Sequence, residues 1–150
     1  MTRKETIVYF AAAIRGDRAL ATIVQQLISF IKNDLHLPVL TEHIGYENPV
    51  DTLPAEAIEH RDIEWLNQAT HVIAEISGAS TGTGREIEYA RTKHSFGHVP
   101  AKILCLYHTD AEFNASPMIR GMTADRYHNV TVLPYRAIEE ACEILKRFLA

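Results

Sequence analysis

The sequence predicts an α/β fold in which a doubly wound parallel sheet of five strands carries helices on both faces. Five short apolar runs, typical of strands buried on both faces, are spaced along the 150 residues. Segments with apolar residues at helical spacing separate these runs. No internal repeat or linker interrupts the alternation, so a single domain over residues 1–150 with a flavodoxin-like (Rossmann-like) strand order is expected.

Each predicted strand is a short, continuous run of apolar residues, many of them β-branched or aromatic. The second run contains Pro38, which is tolerated at the start of a strand. The fourth contains Cys105, which is expected to be buried. In chain order the predicted strands are residues 6–12, 37–41, 71–74, 102–107 and 130–133.

Four segments carry apolar residues on one face at helical spacing. The second of them begins at Pro54, a residue suited to the first position of a helix. A loop or lid is predicted over residues 45–53, and a long connection over residues 108–127. The first predicted helix ends at Asp34 and the second starts at Pro54. The third runs from Glu86 toward Lys93, and the fourth runs from Ile138 to Leu149.

The composition limits the possible partners and the compartment. The formal net charge is −4, so the chain lacks the broad basic surface typical of proteins that bind duplex nucleic acid. The two cysteines, Cys105 and Cys142, lack metal-ligand spacing and are expected to be reduced. No run is long enough to span a membrane, and the charged amino terminus does not resemble a signal peptide. We therefore expect a cytoplasmic protein.

The segment from Glu75 to Ala90 is the most informative part of the sequence. It joins the third strand to the next helix through glycine, serine and threonine residues, and Glu86 is predicted in the first helical turn. Ligands of doubly wound sheets bind at such strand ends, where small residues let them approach backbone N–H groups. The positive helix end would keep Glu86 ionised, and an ionised carboxylate is a competent nucleophile at a sugar anomeric carbon.

Four familiar kinds of site are disfavoured. Ile87 stands where a dinucleotide fingerprint requires its third glycine, and the loop follows the third strand rather than the first. A Walker-type Gly-Lys-Ser/Thr motif is missing from the sequence. No metal site is predicted, because the His, Cys and Asp residues lack ligand spacing. Ser80 and Ser116 lack the context of a hydrolase nucleophile.

The remaining polar residues at predicted strand ends suit a phosphorylated substrate. The guanidinium of Arg15 can bind phosphate oxygens, and hydroxyl and backbone N–H groups can complete a phosphate cradle. On the helix before the third strand, both Asp62 and Glu64 are candidates for the site. Their spacing does not choose between them, although Asp62 shares a helix face with Trp65.

The sequence resembles the 2′-deoxynucleoside 5′-phosphate N-hydrolases, which belong to the nucleoside 2-deoxyribosyltransferase superfamily. The resemblance covers residues 7–149 and depends on an ordered set of motifs rather than on any one of them. The motifs are Tyr9-Phe10, Ile14-Arg15-Gly16, Val39-Leu40-Thr41-Glu42-His43, Asp62-Ile63-Glu64-Trp65-Leu66, Ala74-Glu75-Ile76, Ser80-Thr81-Gly82-Thr83-Gly84-Arg85-Glu86, Ile103-Leu104-Cys105-Leu106 and Ser116-Pro117-Met118-Ile119-Arg120-Gly121.

The resemblance implies hydrolysis of the N-glycosidic bond of a nucleoside 5′-monophosphate, without a cofactor. Glu86 would be the nucleophile that forms a glycosyl-enzyme, Asp62 the acid near base and sugar, and Tyr9 the residue that positions the nucleophile. A homodimer is implied, in which Ser116 and Met118 contribute to the neighbouring site. The other implied substrate-binding residues are Ile14, Arg15, Gly16, His43, Ser80 and Gly82.

Two departures from the family pattern concern the predicted phosphate loop. Ala12-Ala13 replaces the usual Gly-Ser pair, which removes a hydroxyl, and Asp17 replaces a glycine. The loss of one neutral hydrogen bond costs only about 0.5–1.5 kcal/mol, so weaker phosphate binding or an altered substrate preference, rather than lost chemistry, is expected. The preferred base, the tolerance of a 2′-hydroxyl and the strictness of the phosphate requirement stay open. So do two other functions, base exchange by a deoxyribosyltransferase and non-catalytic nucleotide binding.

Overall fold

A computed structural model describes residues 5–14, 20–46 and 51–150 of the chain. Its centre is a sheet of four parallel strands, β1 to β4, which lie side by side in chain order. The strands are β1 (Val8–Ala11), β2 (His71–Glu75), β3 (Lys102–His108) and β4 (Val130–Tyr135). The predicted α/β class with a parallel sheet is confirmed, but the number of strands is not.

The prediction of five strands was wrong, because the run over residues 37–41 forms only an isolated parallel bridge between Val39 and Val8. Two backbone hydrogen bonds hold it there: Val8 N donates to the Pro38 carbonyl, and Leu40 N donates to the Val8 carbonyl. The next bonds of the ladder are made by a side chain instead. The Thr41 hydroxyl accepts from Phe10 N at 2.8 Å and donates to the Phe10 carbonyl at 2.6 Å. The hydroxyl thus satisfies both backbone groups of Phe10, and the chain leaves the sheet edge.

The helices lie close to their predicted positions. The first helix, α1, continues into a wider π-helical turn over Phe30–Asp34. The third, α3, begins five residues before Glu86, so most of the predicted glycine-rich loop is helical. The helices are α1 (Ala21–Ser29), α2 (Ala55–Gln68), α3 (Thr81–Thr92), α4 (Pro117–Arg120) and α5 (Ile138–Phe148). Within the described ranges, none of them is long and apolar enough to cross a membrane.

Each face of the sheet has its own apolar core, so the sheet is covered on both sides. Successive residues of a strand point to opposite faces. Val8 and Phe10 accordingly pack with residues of α1 and α5, whereas Tyr9 and Ala11 pack with residues of α2 and α3. The alternation in β1 therefore directs the Tyr9 side chain toward the two helices that carry Asp62 and Glu86.

A buried lysine holds the carboxyl end of α2. The Lys93 ammonium is inaccessible to solvent and donates to the carbonyls of Asn67 at 3.2 Å and Ala69 at 2.7 Å. The last carbonyls of a helix lack partners within the helix, and a cation there also interacts favourably with the helix dipole. Burial lowers the pKa of Lys93 to about 8. The contact ties α2 to the end of α3 and fixes the helix that carries Asp62.

A second buried polar group holds the segment between β2 and α3. The Glu75 carboxylate accepts hydrogen bonds from the Tyr135 hydroxyl and, at 2.5 Å, from Ser77 N. The Ser77 hydroxyl in turn accepts from His108 N at 2.8 Å. Burial raises the pKa of Glu75 above its ordinary value. This network joins the carboxyl ends of β2, β3 and β4 and orients the chain as it enters α3.

Candidate active site

An open cleft lies at the carboxyl ends of β1 and β2, between α2 and the start of α3. It consists of three adjoining cavities of about 440, 70 and 510 Å³, and Glu86 and Ile58 line all three. Asp62 lines the first two cavities, and Gly82 lines the first and third. The cleft is where a doubly wound sheet is expected to bind its ligand.

Glu86 and Tyr9 form the centre of the cleft. The Tyr9 hydroxyl donates a short hydrogen bond to Glu86 Oε2, across 77 residues of sequence. Tyr9 itself is buried, and burial together with the nearby Glu86 charge raises its pKa well above the ordinary value. The phenol therefore keeps its proton and acts as a donor. The structure brings together two of the three predicted catalytic residues in direct contact.

The expectation that the positive helix end would keep Glu86 ionised was wrong. Because α3 begins at Thr81, Glu86 is its sixth residue and lies in the second turn, beyond the part of the helix where the dipole acts strongly. Burial raises the pKa of Glu86 to about 7; the Tyr9 hydrogen bond opposes this shift, and the charge of Asp62 adds to it. Desolvation of the carboxylate thus outweighs the groups that favour its charged form.

The amino terminus of α3 forms the wall of the third cavity. The Ser80 hydroxyl caps the helix by accepting from Thr83 N at 3.2 Å. The free backbone N–H groups of a first helical turn can bind an anion. Gly82 leaves space beside the carboxylate, since a Cβ there would lie 3.7 Å from Glu86 Oε1. A Cβ at Gly84 would have no neighbour within 4 Å.

On α2, Asp62 rather than Glu64 lines the cleft. Asp62 is half-buried and lines the cleft, whereas Glu64 is exposed to solvent. The neighbouring Arg61 holds the Asp62 carboxylate through Nε, which donates to Oδ1 at 3.0 Å. A second carboxylate, Asp51, lies 2.6 Å from the other side of the same guanidinium. Asp62 is therefore the second acidic group near Glu86.

His43 lies in the smaller cavity on the Tyr9 side of the cleft, where the sequence predicts a base-binding residue. Its ring centroid is 5.9 Å from that of Trp65, with the two planes tilted by 46°. Burial, together with the charge of Arg61, lowers the pKa of His43 below its ordinary value. This shift favours the neutral imidazole, which can offer one donor and one acceptor.

The other predicted substrate-binding residues have different outcomes. Ile14 lines the second and third cavities. Arg15 and Gly16 lie outside the described residues. Ser116 caps α4 by accepting from Met118 N at 3.2 Å, and Met118 is 83% exposed. Neither Ser116 nor Met118 lines the cleft formed by a single chain.

Several residues that line the cleft are absent from the site predicted by the sequence, among them Ile58, Arg61 and Asp51. Ile58 could have been found, because it precedes Asp62 by four positions and therefore shares its helix face. Arg61 could have been suspected as the neighbour of Asp62. Asp51 lies within the loop predicted over residues 45–53, and no pattern in the sequence places it against α2. Among the described residues, no group of three or more His, Cys, Asp or Glu side chains is arranged to hold a metal ion.

Comparison with known proteins identifies relatives over nearly the whole chain. A 5-hydroxymethyl-dUMP N-hydrolase of Tetraodon nigroviridis is 31% identical over 148 residues, which cover 95% of this chain and 96% of the relative. A Nematostella vectensis protein, provisionally named 2′-deoxynucleoside 5′-phosphate N-hydrolase 1, is 32% identical over 153 residues, covering 99% and 95% of the two chains. No model of a protein family matches the sequence.

The fold also occurs in a solved structure. The CMP N-glycosidase BcmB of Clostridium botulinum superimposes with a TM-score of 0.66 over 96% of this chain and 100% of its own. The two sequences are only 21% identical, so this likeness concerns the fold alone.

Proposed function

The chain belongs to the 2′-deoxynucleoside 5′-phosphate N-hydrolase family, and on this premise we propose that Glu86 is the nucleophile with which it hydrolyses nucleoside 5′-monophosphates. The chain is an N-glycosidase that releases the free base and a sugar 5-phosphate. The observation that carries the assignment of Glu86 is its position: it lines all three cavities of the cleft and is held by Tyr9.

The proposed reaction has two steps at the anomeric carbon. Glu86 attacks the carbon through one carboxylate oxygen, the C–N bond breaks with its electron pair on the base, and a glycosyl ester forms. Water then adds its oxygen to the anomeric carbon, and the ester C–O bond breaks to regenerate the Glu86 carboxylate. The proton that water loses balances the proton that the departing base takes up. Tyr9 binds Oε2, and Oε1 is the oxygen beside Gly82. We therefore assign the attack to Oε1, with Tyr9 fixing the rotamer of the side chain.

Asp62 is proposed as the acidic residue next to the sugar and base. Its carboxylate and that of Glu86 both line the first two cavities, and the charge of Asp62 raises the pKa of Glu86. An oxocarbenium-like transition state carries positive charge on the sugar. A second carboxylate beside it would stabilise that charge and help the base to leave. We assign the base to His43, whose ring lies close to that of Trp65.

The 5′-phosphate is assigned to the third cavity. Ser80, Gly82 and Ile14 line it, and the first turn of α3 opens into it. A helix amino terminus attracts anions through its free N–H groups and its dipole. Arg15 and Gly16, which the resemblance places in the same subsite, lie outside the described residues. Ala13, where the family usually carries a hydroxyl, does not line this cavity, and the missing hydroxyl should weaken phosphate binding without abolishing it.

The activity should depend on pH through Glu86. Since the pKa of Glu86 is raised to about 7 and the nucleophile must be ionised, kcat/KM is expected to rise with pH through about 7. The Tyr9 hydrogen bond lowers this pKa, so Tyr9→Phe should move the rising limb to higher pH. Because the substrate phosphate also titrates, near pH 6, the difference between wild type and variant is the informative quantity. An unmoved limb would show that Tyr9 does not act on the nucleophile.

We further propose a homodimer in which Ser116 and Met118 reach the neighbouring site. The exposure of Met118, and of Phe113 at 97%, supports a partner on this side of the molecule. Mixing Glu86→Ala and Ser116→Ala chains should restore part of the activity, because each hybrid dimer then contains one intact site. No recovery, with hybrids demonstrated by mass spectrometry, would contradict a shared site.

One assay separates hydrolysis from the alternatives. The protein is incubated with deoxynucleoside and ribonucleoside 5′-monophosphates, or with free deoxynucleosides and an acceptor base, and the products are separated by chromatography. Free base and sugar phosphate from a monophosphate are the expected products. A new nucleoside formed only with an acceptor base would identify a transferase, and unchanged substrate would identify a binding protein.

A further inference from the structure

Arg61 is the charged group in the cleft with the most contacts and no assigned role. Its Nε and NH2 groups both lie 3.0 Å from Asp62 Oδ1, and NH1 lies 2.6 Å from Asp51 Oδ2. Its Cζ also lies 4.7 Å from the centre of the Trp65 ring. One guanidinium thus contacts two carboxylates and an aromatic face at once, an arrangement that the planar, forked group favours and a lysine cannot reproduce.

The contacts of Arg61 lie inside the cleft rather than on an outer surface. Arg61, Asp51, Asp62 and His43 all line the cavity that also contains Tyr9 and Glu86. The side chains are only partly accessible, 26% for Arg61 and 15% for Asp51. Ion pairs that are shielded from solvent in this way are weakened less by salt than exposed pairs. The strength of the Arg61 pairs therefore depends mainly on their geometry.

Arg61 links two segments that approach the cleft from different sides. Asp62 belongs to α2, whereas Asp51 belongs to the connection that precedes α2 and follows the segment of His43. The guanidinium lies between them and covers one face of Trp65, whose ring in turn lies next to His43.

We propose that Arg61 is a positioning residue for the N-hydrolase reaction, which orients the Asp62 carboxylate and holds the Asp51 segment against α2. This inference rests on the proposed function, in which Asp62 acts on the bound nucleotide. We assign Arg61 an action through Asp62 rather than on the substrate, because each of its three nitrogens lies against one of the two carboxylates. The Asp62 carboxylate is thereby fixed before the substrate enters, as preorganised groups in active sites are.

The test is a double-mutant cycle with Arg61→Met, Asp62→Asn and the double variant. Arg61→Met should lower kcat by about 10²-fold, as expected when a reacting group is misplaced, with a much smaller change in KM. If Arg61 acts through Asp62, the double variant should be no slower than Asp62→Asn alone. Independent, multiplicative losses would overturn the proposal. Arg61→Lys should recover only part of the loss.

A matched control is available in Arg91, which lies outside the cleft. It pairs with Glu88 and lies 5.2 Å from the Tyr127 ring, so its contacts are of the same kinds. Arg91→Met should leave kcat near the wild-type value. Equal losses of kcat in Arg61→Met and Arg91→Met, with equal losses of thermal stability, would show that Arg61 has only a structural role.

Nucleotide binding can be measured for the same set of variants. This second measurement distinguishes failure of the inference about Arg61 from failure of the proposed function. Trp65 is the only tryptophan of the sequence and is in contact with Arg61, so its fluorescence can report on binding of deoxyuridine 5′-monophosphate. If wild type binds the nucleotide without releasing base, the proposed function fails. Non-additive effects of Arg61→Met and Asp62→Asn on the Kd would still support positioning by Arg61, and additive effects would refute it.

Discussion

Glu86→Ala should abolish base release from nucleoside 5′-monophosphates, with a fall in kcat of at least about 10³-fold. Removing a nucleophile takes away the covalent route entirely, and losses of this size or larger are usual for such residues. Glu86 lines all three cavities of the cleft, whereas the second acidic residue, Asp62, lines only two of them. The measurement is chromatography of the released base over time, with wild type as reference.

Glu88 provides the matched control for this experiment. It lies two residues further along α3, has the same side chain, and pairs with Arg91 on the exposed side of the helix. Glu88→Ala should retain near wild-type kcat, at a small cost in stability, since exposed ion pairs contribute little. A normal rate in Glu86→Ala, with the fold intact by circular dichroism, would remove Glu86 from the mechanism.

Asp62→Asn should lower kcat by roughly 10²–10⁴-fold, the range typical of residues that assist proton transfer or charge development. It should also shift the rising limb of the pH profile to lower pH, because the charge of Asp62 raises the pKa of Glu86. The two effects have one cause and can be measured in a single set of pH–rate profiles.

The control for Asp62 is Glu64→Gln on the same helix. Glu64 is exposed and lines none of the three cavities, so this variant should change neither the rate nor the pH profile. A pH profile of Asp62→Asn that coincides with that of wild type would mean that the two carboxylates do not interact in the working enzyme.

The fold was largely predictable, because strands buried on both faces have a distinct sequence pattern. The exception is the second predicted strand. Its apolar residues fit a strand, but the Thr41 hydroxyl takes over the hydrogen bonds of Phe10 that further pairing would have used. A side chain that replaces a backbone partner cannot be foreseen from apolar periodicity. The local prediction of a regular strand over residues 37–41 was therefore wrong, whereas the predicted fold class was right.

The candidate site was partly predictable. The positions of Tyr9 and Glu86 followed from the ordered motifs, and the comparisons confirm the family that those motifs indicate. The raised pKa of Glu86 could not be predicted from the motifs, because it depends on where α3 begins and on how deeply the carboxylate is buried. Arg61 was missed because its importance comes from Asp51 and Trp65, contacts that only the folded chain brings together.

The most direct test of the account is to identify the residue that carries the sugar during turnover. Excess enzyme is mixed with a deoxynucleoside 5′-monophosphate, quenched in acid at a series of times, digested, and mapped by mass spectrometry. The account predicts a transient deoxyribose 5-phosphate adduct on Glu86. Modification of another residue, or complete single-turnover base release with the Glu86 peptide unmodified at every time, would contradict it.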